Sequence, residues 1–237
     1  MSVEIRDLQG MAEFAQAEQL QRDVWGAGDA PDPADLMMVV QHEGGFVAGA
    51  FADGRLLGYA FGFPTRDPVV QHSHRLAVRA EARGLKLGLR LKWYQHDWCA
   101  ARGIALVRWT YDPLRLANAT LNIAALGAEV STYLPDYYGE MAGINAGTAS
   151  DRLMADWHVG SPRVQACRAG QAVLTPDQIA QARRVPILPG FETLLDTAPA
   201  AAQTARLQMR AALTTAFAEG FVIRGLDRDS KEYLLLK

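Results

Sequence analysis

The sequence lacks most features that would tie it to a special environment. Only two cysteines, Cys99 and Cys167, occur in its 237 residues, and they form neither a metal-ligand spacing nor a disulfide framework. No apolar run comes near the roughly 20 residues needed to span a bilayer. The opening MSVEIRDLQG brings acids early and has no apolar signal-peptide core. These absences predict a cytoplasmic chain with no membrane partner and no metal. An excess of one charge is missing too. The 24 basic and 26 acidic residues leave a formal net charge of −2, which argues against a nucleic-acid partner. No Gly-Lys-Ser/Thr and no Gly-x-Gly-x-x-Gly follows any predicted strand, which argues against the common nucleotide loops. Repeats and low-complexity tracts are absent.

What is there reads as an α/β protein. Val3–Leu8 alternates like a strand, and Met11–Trp25 has apolar residues at helical spacing. Residues 26–35 read as a loop. Two apolar runs, Gly45–Ala52 and Leu56–Pro64, flank Asp53-Gly54, a strong hairpin signal. His72–Arg79 reads as the next strand, with His74, Leu76 and Val78 expected on one face. A helix over Leu85–Arg102 stops at Gly103, followed by a strand over Ala105–Tyr111 that Asp112-Pro113 breaks. A helix over Leu114–Leu126 ends at Gly127, and strands over Ala128–Leu134 and Leu153–Val159 follow. Beyond Gly160 the pattern predicts helices over 175–185 and 200–219, then strands over Phe221–Leu226 and Glu232–Leu236. The organisation expected is a domain over 1–160 and an extension over 161–237 packing on it.

The chemically informative segment is Leu76–Leu91, LAVRAEARGLKLGLRL. Here a strand runs through a charged turn into a helix expected to begin near Gly84. Helix starts expose unpaired N–H groups and the positive end of the dipole, a receptor for phosphate. From Arg79 to Arg102 six bases face two acids, so a slightly acidic protein places a positive patch at a helix start. A basic surface helix with a glycine turn would look the same.

The order of elements and this junction resemble the GNAT superfamily of acyl-coenzyme A-dependent N-acyltransferases, over about residues 3–159. The family's Arg/Gln-x-x-Gly-x-Gly/Ala turn stands here as Arg83, Gly84, Leu85, Lys86, Leu87 and Gly88, with Lys86 replacing the middle glycine. Further segments match one branch of the superfamily. They are Ser73-His74, Leu91-Lys92 with Gln95, Trp109-Thr110-Tyr111-Asp112-Pro113-Leu114, Asn118 with Asn122, Tyr138-Gly139-Glu140 and Ser150-Asp151-Arg152-Leu153. The resemblance implies a mixed central sheet, flanked by helices and splayed to admit the pantetheine arm, with a C-terminal helix and hairpin extension. It also implies that backbone groups of Leu76 and Val78 pair with pantetheine, that residues 83–88 hold the pyrophosphate, and that Asn118 contacts the cofactor.

The activity implied is transfer of the acetyl group of acetyl-coenzyme A to a primary amine, on a small molecule or a peptide, in a direct ternary complex without a metal. His74 is the expected base, since histidine titrates near neutrality; His72 ranks below it. The family's tyrosine acid has no counterpart, because the corresponding position is Ile123; Tyr138, Tyr111 or no dedicated acid at all remain open. Asp112, Glu140, Asp151 and Arg152 are the expected acceptor contacts, with turn-forming and structural ion-pair roles as the competing reading. A coenzyme A-binding sensor with the same fold is the alternative function. A homodimer through the C-terminal strands is the expected assembly if those strands pair between subunits.

Overall fold

The computed structural model describes residues 2–26, 28–139 and 148–237. The chain divides into two compact units, residues 1–108 and 109–237. The boundary expected near residue 160 falls inside the second unit, because residues 109–160 are bonded to the extension.

The first unit contains β1 (Glu4–Asp7), α1 (Gly10–Trp25), α2 (Ala34–His42), β2 (Phe46–Ala52), β3 (Arg55–Pro64), β4 (Val70–Val78), α3 (Leu87–Ala100) and the start of β5 (Leu106–Tyr111). Strands β1 to β4 pair antiparallel in chain order, and β4 pairs with β5 in parallel, so the sheet is mixed. Asp53 and Gly54 both take positive φ, 49° and 77°, the tight hairpin turn that this dipeptide favours. One face of the sheet packs on α1 and α2 through Phe14, Leu20, Met37, Tyr59, Phe61 and Ala77. The other packs on α3 through Leu57, Leu87 and Leu91, with Leu76 and Val78 against them. Helix α2 has no counterpart in the sequence reading. Its apolar residues 36–40 run consecutively, and only Ala34 and Met37 in the helix are buried, so no helical period shows.

Strand β4 carries a bulge. Its register with β3 passes from Gly62↔Ser73 directly to Phe61↔Arg75, leaving His74 as the extra residue. A bulge shifts the alternation by one, so the expectation that His74 shares a face with Leu76 and Val78 is overturned. Ser73, Leu76 and Val78 face α3; His74, Arg75 and Ala77 face α1 and α2.

The second unit continues from β5 through α4 (Leu116–Ala119), which runs into a wider π-turn at Thr120–Ala125, then β6 (Glu129–Leu134) and β7 (Arg152–His158). There follow α5 (Pro162–Arg168), α6 (Pro176–Gln181), β8 (Arg183–Pro186), α7 (Phe191–Thr197), α8 (Pro199–Ala218), β9 (Val222–Asp227) and β10 (Glu232–Leu236). Its strand order is β7-β6-β9-β10-β8, with β6 meeting β9 at Val130↔Ile223. The helix expected over 175–185 stops at Gln181, and Arg183–Pro186 pairs with β10 instead. Helices α5 and α7 are too short to show a period. Because β10 lies between β9 and β8, both its edges are used within the chain, and it offers none to a second copy.

Candidate active site

The strand-to-helix junction is where the sequence reading expects an anion. After β4 the chain makes one 3₁₀ turn at Ala80–Ala82, and α3 begins at Leu87, three residues later than expected. Arg83, Gly84, Leu85 and Lys86 are exposed. Gly84 has φ 91° and open space where a Cβ would stand. Lys86, at the N-cap position, is left-handed, with φ 53° and ψ 29°. The lysine holds the conformation that glycine adopts without strain. No side chain caps α3, so the N–H groups of its first turn, including Leu87 and Gly88, face outward unclaimed.

The positive patch is narrower than the sequence suggests. Arg79 pairs with Asp23 and donates to Leu56 O, Arg90 donates to Val3 O, and Arg102 lies over Trp98. Lys92 is buried. Arg83 and Lys86 remain, exposed and without an ion-pair partner among the described residues. A diphosphate fits this turn, since free amides, open space at Gly84 and two uncommitted cations meet there.

Behind the turn, β4 has a half-used edge. Arg79 donates its N–H to Leu57 O on β3. Alternation then turns the backbone groups of Val78 and Leu76 to the opposite edge. The register with β5 on that edge runs Val70↔Leu106, Gln71↔Val107 and His72↔Arg108, and ends there.

His74 stands where that pairing has just stopped. Its Nε2 lies 3.4 Å from Asp32 Oδ1, and about a third of its side chain is exposed. Phe61 and Phe63 ring it at 5.6 and 5.4 Å. Arg75 Nε lies 3.1 Å from the other Asp32 oxygen, and Arg75 Nη1 is 2.6 Å from Asp29 Oδ2. His72 stacks on Phe63 at 4.9 Å. Burial, helped by His74 and Lys92, pushes its pKa down to about 4. His72 is thus neutral and weakly basic, whereas His74 has both a carboxylate neighbour and access to solvent.

In the second unit the expected acceptor contacts are committed internally. Both Asp112 oxygens accept from Arg206, at 2.6 and 2.8 Å, and Oδ1 also accepts from Leu114 N–H. Asp151 is fully buried and takes two hydrogen bonds from Arg210, at 2.9 and 2.6 Å, one from Tyr133 Oη and one from Asp136 N–H. Burial opposes its carboxylate, but these donors outweigh it and hold the pKa below the ordinary value. Arg152 is buried and donates to Asp151 O. Asp112 and Asp151 are thus paired with Arg206 and Arg210, and Asp112 also forms the turn to Leu114. Tyr138 is exposed, with its Oη 2.9 Å from Thr110 Oγ1. Tyr111 and Ile123 are buried, and burial raises the Tyr111 pKa. Asn118 lies in α4 but does not cap it; Arg115 holds that position. Glu140 lies outside the described residues.

Residues 11–119 match the acetyltransferase (GNAT) family. That stretch is a little under half of the chain, and together with the mixed sheet and flanking helices it supports membership of the GNAT superfamily. No curated protein sequence matches it significantly. Among solved structures it is similar to the ribosomal-protein-S18-alanine N-acetyltransferase of Escherichia coli, with 16% identity and TM-score 0.56 over 68% of this chain and 96% of that one. An aminoglycoside 6′-acetyltransferase type Ii is 19% identical, with TM-score 0.54 over 68% and 99%. A phosphinothricin acetyltransferase from Sinorhizobium meliloti, solved with acetyl-coenzyme A, is 17% identical, with TM-score 0.52 over 66% and 88%. At these identities the likeness is one of fold.

Two parts of the site escape a reading by motif. Asp32 lies in a loop 42 residues before His74 in the sequence, and nothing local marks it. A polar cluster under β4 joins Ser73, Lys92, Gln95 and Gln71. Ser73, Lys92 and Gln95 lie in matched segments and Gln71 does not, and their meeting depends on the bulge and on the α3 packing.

Proposed function

We propose that this protein transfers the acetyl group of acetyl-coenzyme A to a primary amine in a direct ternary complex, with Arg83 to Gly88 binding the diphosphate. The observation that carries this reading is the exposed junction itself, where left-handed Lys86 and open Gly84 precede an uncapped helix. Leu76 and Val78 offer outward backbone groups to the pantetheine amides, which runs the acyl end upstream along β4 toward His74. His74, beside Asp32, accepts the acceptor's proton. The phenylalanines around it exclude water from one side. Asn118 is the further cofactor contact that the resemblance implies, and its side chain has no hydrogen-bond partner among the described residues. Tyr138 is the hydroxyl available to the acceptor side of the chemistry and an alternative acid.

The test is release of free coenzyme A thiol from acetyl-coenzyme A with a panel of small amines and N-terminal peptides. Amine-dependent thiol release supports the reading. Tight binding without release for any amine supports the sensor alternative, and absence of binding removes both.

A further inference from the structure

Lys92 sits on α3 with 2% of its surface exposed, beneath the point of β4 where pairing to β5 stops. Its Nζ donates to Ser73 Oγ at 3.0 Å and to Gln95 Oε1 at 2.8 Å. Ser73 is the residue before the bulge, and His74 is the bulge residue. The two side chains therefore leave one point of the strand toward opposite faces. Base and lysine stand on either side of the same stretch of β4 edge. Removing an ammonium from water opposes folding by several kcal/mol, and an apolar side chain of similar reach would fill the space at lower cost. Ile123, where the family's acid would stand, has no proton to give.

We propose that Lys92, directly or through Ser73 Oγ, is the proton donor to the departing thiolate, on the α3 face of β4, while His74 accepts the amine's proton on the other. The inference rests on the acyl-transfer reading above. The acceptor nitrogen forms the C–N bond at the thioester carbonyl, and the C–S bond breaks with its electron pair on sulfur. One Nζ–H proton passes to that sulfur; where Ser73 relays it, the hydroxyl gives one proton and takes one. Amide product, free thiol and neutral Lys92 remain, and protonated His74 releases its proton to solvent. A proton from solvent restores the ammonium.

Burial pushes the Lys92 pKa down to about 7, which makes it a readier donor than an ordinary lysine while leaving a share protonated at neutral pH. The groups facing this region are His72 and Ser73 on β4, Gln95 and Cys99 on α3, and Arg108 on β5. His72 is pushed down to about 4 and the Cys99 thiol up to about 12 by burial, so neither changes charge near neutrality.

The test needs no acceptor. Coenzyme A is bound to the purified full-length protein, and ionisation of its thiol is followed across pH by thiolate ultraviolet absorbance. In the wild type the forming thiolate should hold Lys92 protonated above the pH at which it titrates without ligand, so the bound thiol should ionise at least about one pH unit lower than free coenzyme A, a tenfold gain in thiolate on the rising limb. Lys92→Met should abolish that shift with coenzyme A still bound. Lys92→Gln, which keeps hydrogen bonds to Ser73 and Gln95, should do the same and serves if the methionine variant does not fold. A wild-type thiol that titrates like free coenzyme A overturns the proposal. So does a shift that survives in the Lys92 variants but disappears in Tyr138→Phe. A wild type that binds no coenzyme A overturns the acyl-transfer reading itself, a result distinct from binding with an unshifted thiol.

Discussion

Asp32 Oδ1 stands 3.4 Å from His74 Nε2 and its second oxygen 3.1 Å from Arg75 Nε, so one carboxylate bridges the bulge residue and the next residue of the strand. A carboxylate there fixes the ring and stabilises the imidazolium formed as a proton arrives. His74→Ala is expected to lower amine-dependent thiol release by about 10²–10⁴-fold at neutral pH. Asp32→Asn should lower it less. Coenzyme A affinity, measured by calorimetry, should stay the same in both. A folded His74→Ala with full rate refutes the assignment.

Arg83 has no ion-pair partner of its own among the described residues and lies in the exposed turn. Arg83→Ala should weaken coenzyme A binding by about 1–3 kcal/mol, the range of charge-assisted hydrogen bonds. Binding of dephosphorylated pantetheine should be nearly unchanged. Equal losses for both ligands would mean that the turn does not meet the phosphates.

Left-handed backbone at Lys86 costs a residue with a Cβ about 1 kcal/mol relative to glycine. Lys86→Gly should therefore raise the denaturant midpoint by an equivalent amount. A parallel binding titration separates backbone from side chain. Unchanged coenzyme A affinity assigns the contact to the amide, and a loss assigns it to the ammonium.

The Lys92 pKa, lowered from 10.5 to about 7, carries a stability signature of definite sign. Between those values the unfolded chain binds more protons than the folded one, so folding gains stability as pH rises. Lys92→Met removes that slope. Its thermal midpoint relative to wild type should be most favourable below about pH 7 and lose ground steadily toward pH 10.5. A constant difference across the range would show that the lysine titrates normally.

Periodicity and turn chemistry made much of the fold legible. The Asp53-Gly54 hairpin, the strand-to-helix junction and β10 follow from local pattern alone. The bulge did not, because a one-residue register slip between β3 and β4 leaves no mark in the alternation of β4 itself. It is the bulge that puts His74 on the α2 side, next to Asp32, and that meeting joins segments far apart in the chain. Asp112 and Asp151 looked like acceptor contacts for a related reason. Their partners, Arg206 and Arg210, lie about 94 and 59 residues onward, in a helix whose composition reads as plain alanine-rich.

Arg206 and Arg210 are four residues apart on α8, so one face of that helix holds Asp112, at the end of β5, and Asp151, at the entry to β7. Breaking a buried pair strands a charge at a cost of about 3–5 kcal/mol, a large part of a typical domain's stability. A fragment ending near residue 160 would keep every matched motif and lose both arginine partners, together with the helix that carries them. Any screen for activity is therefore best run on the chain through α8 and its closing strands, which keeps both pairs.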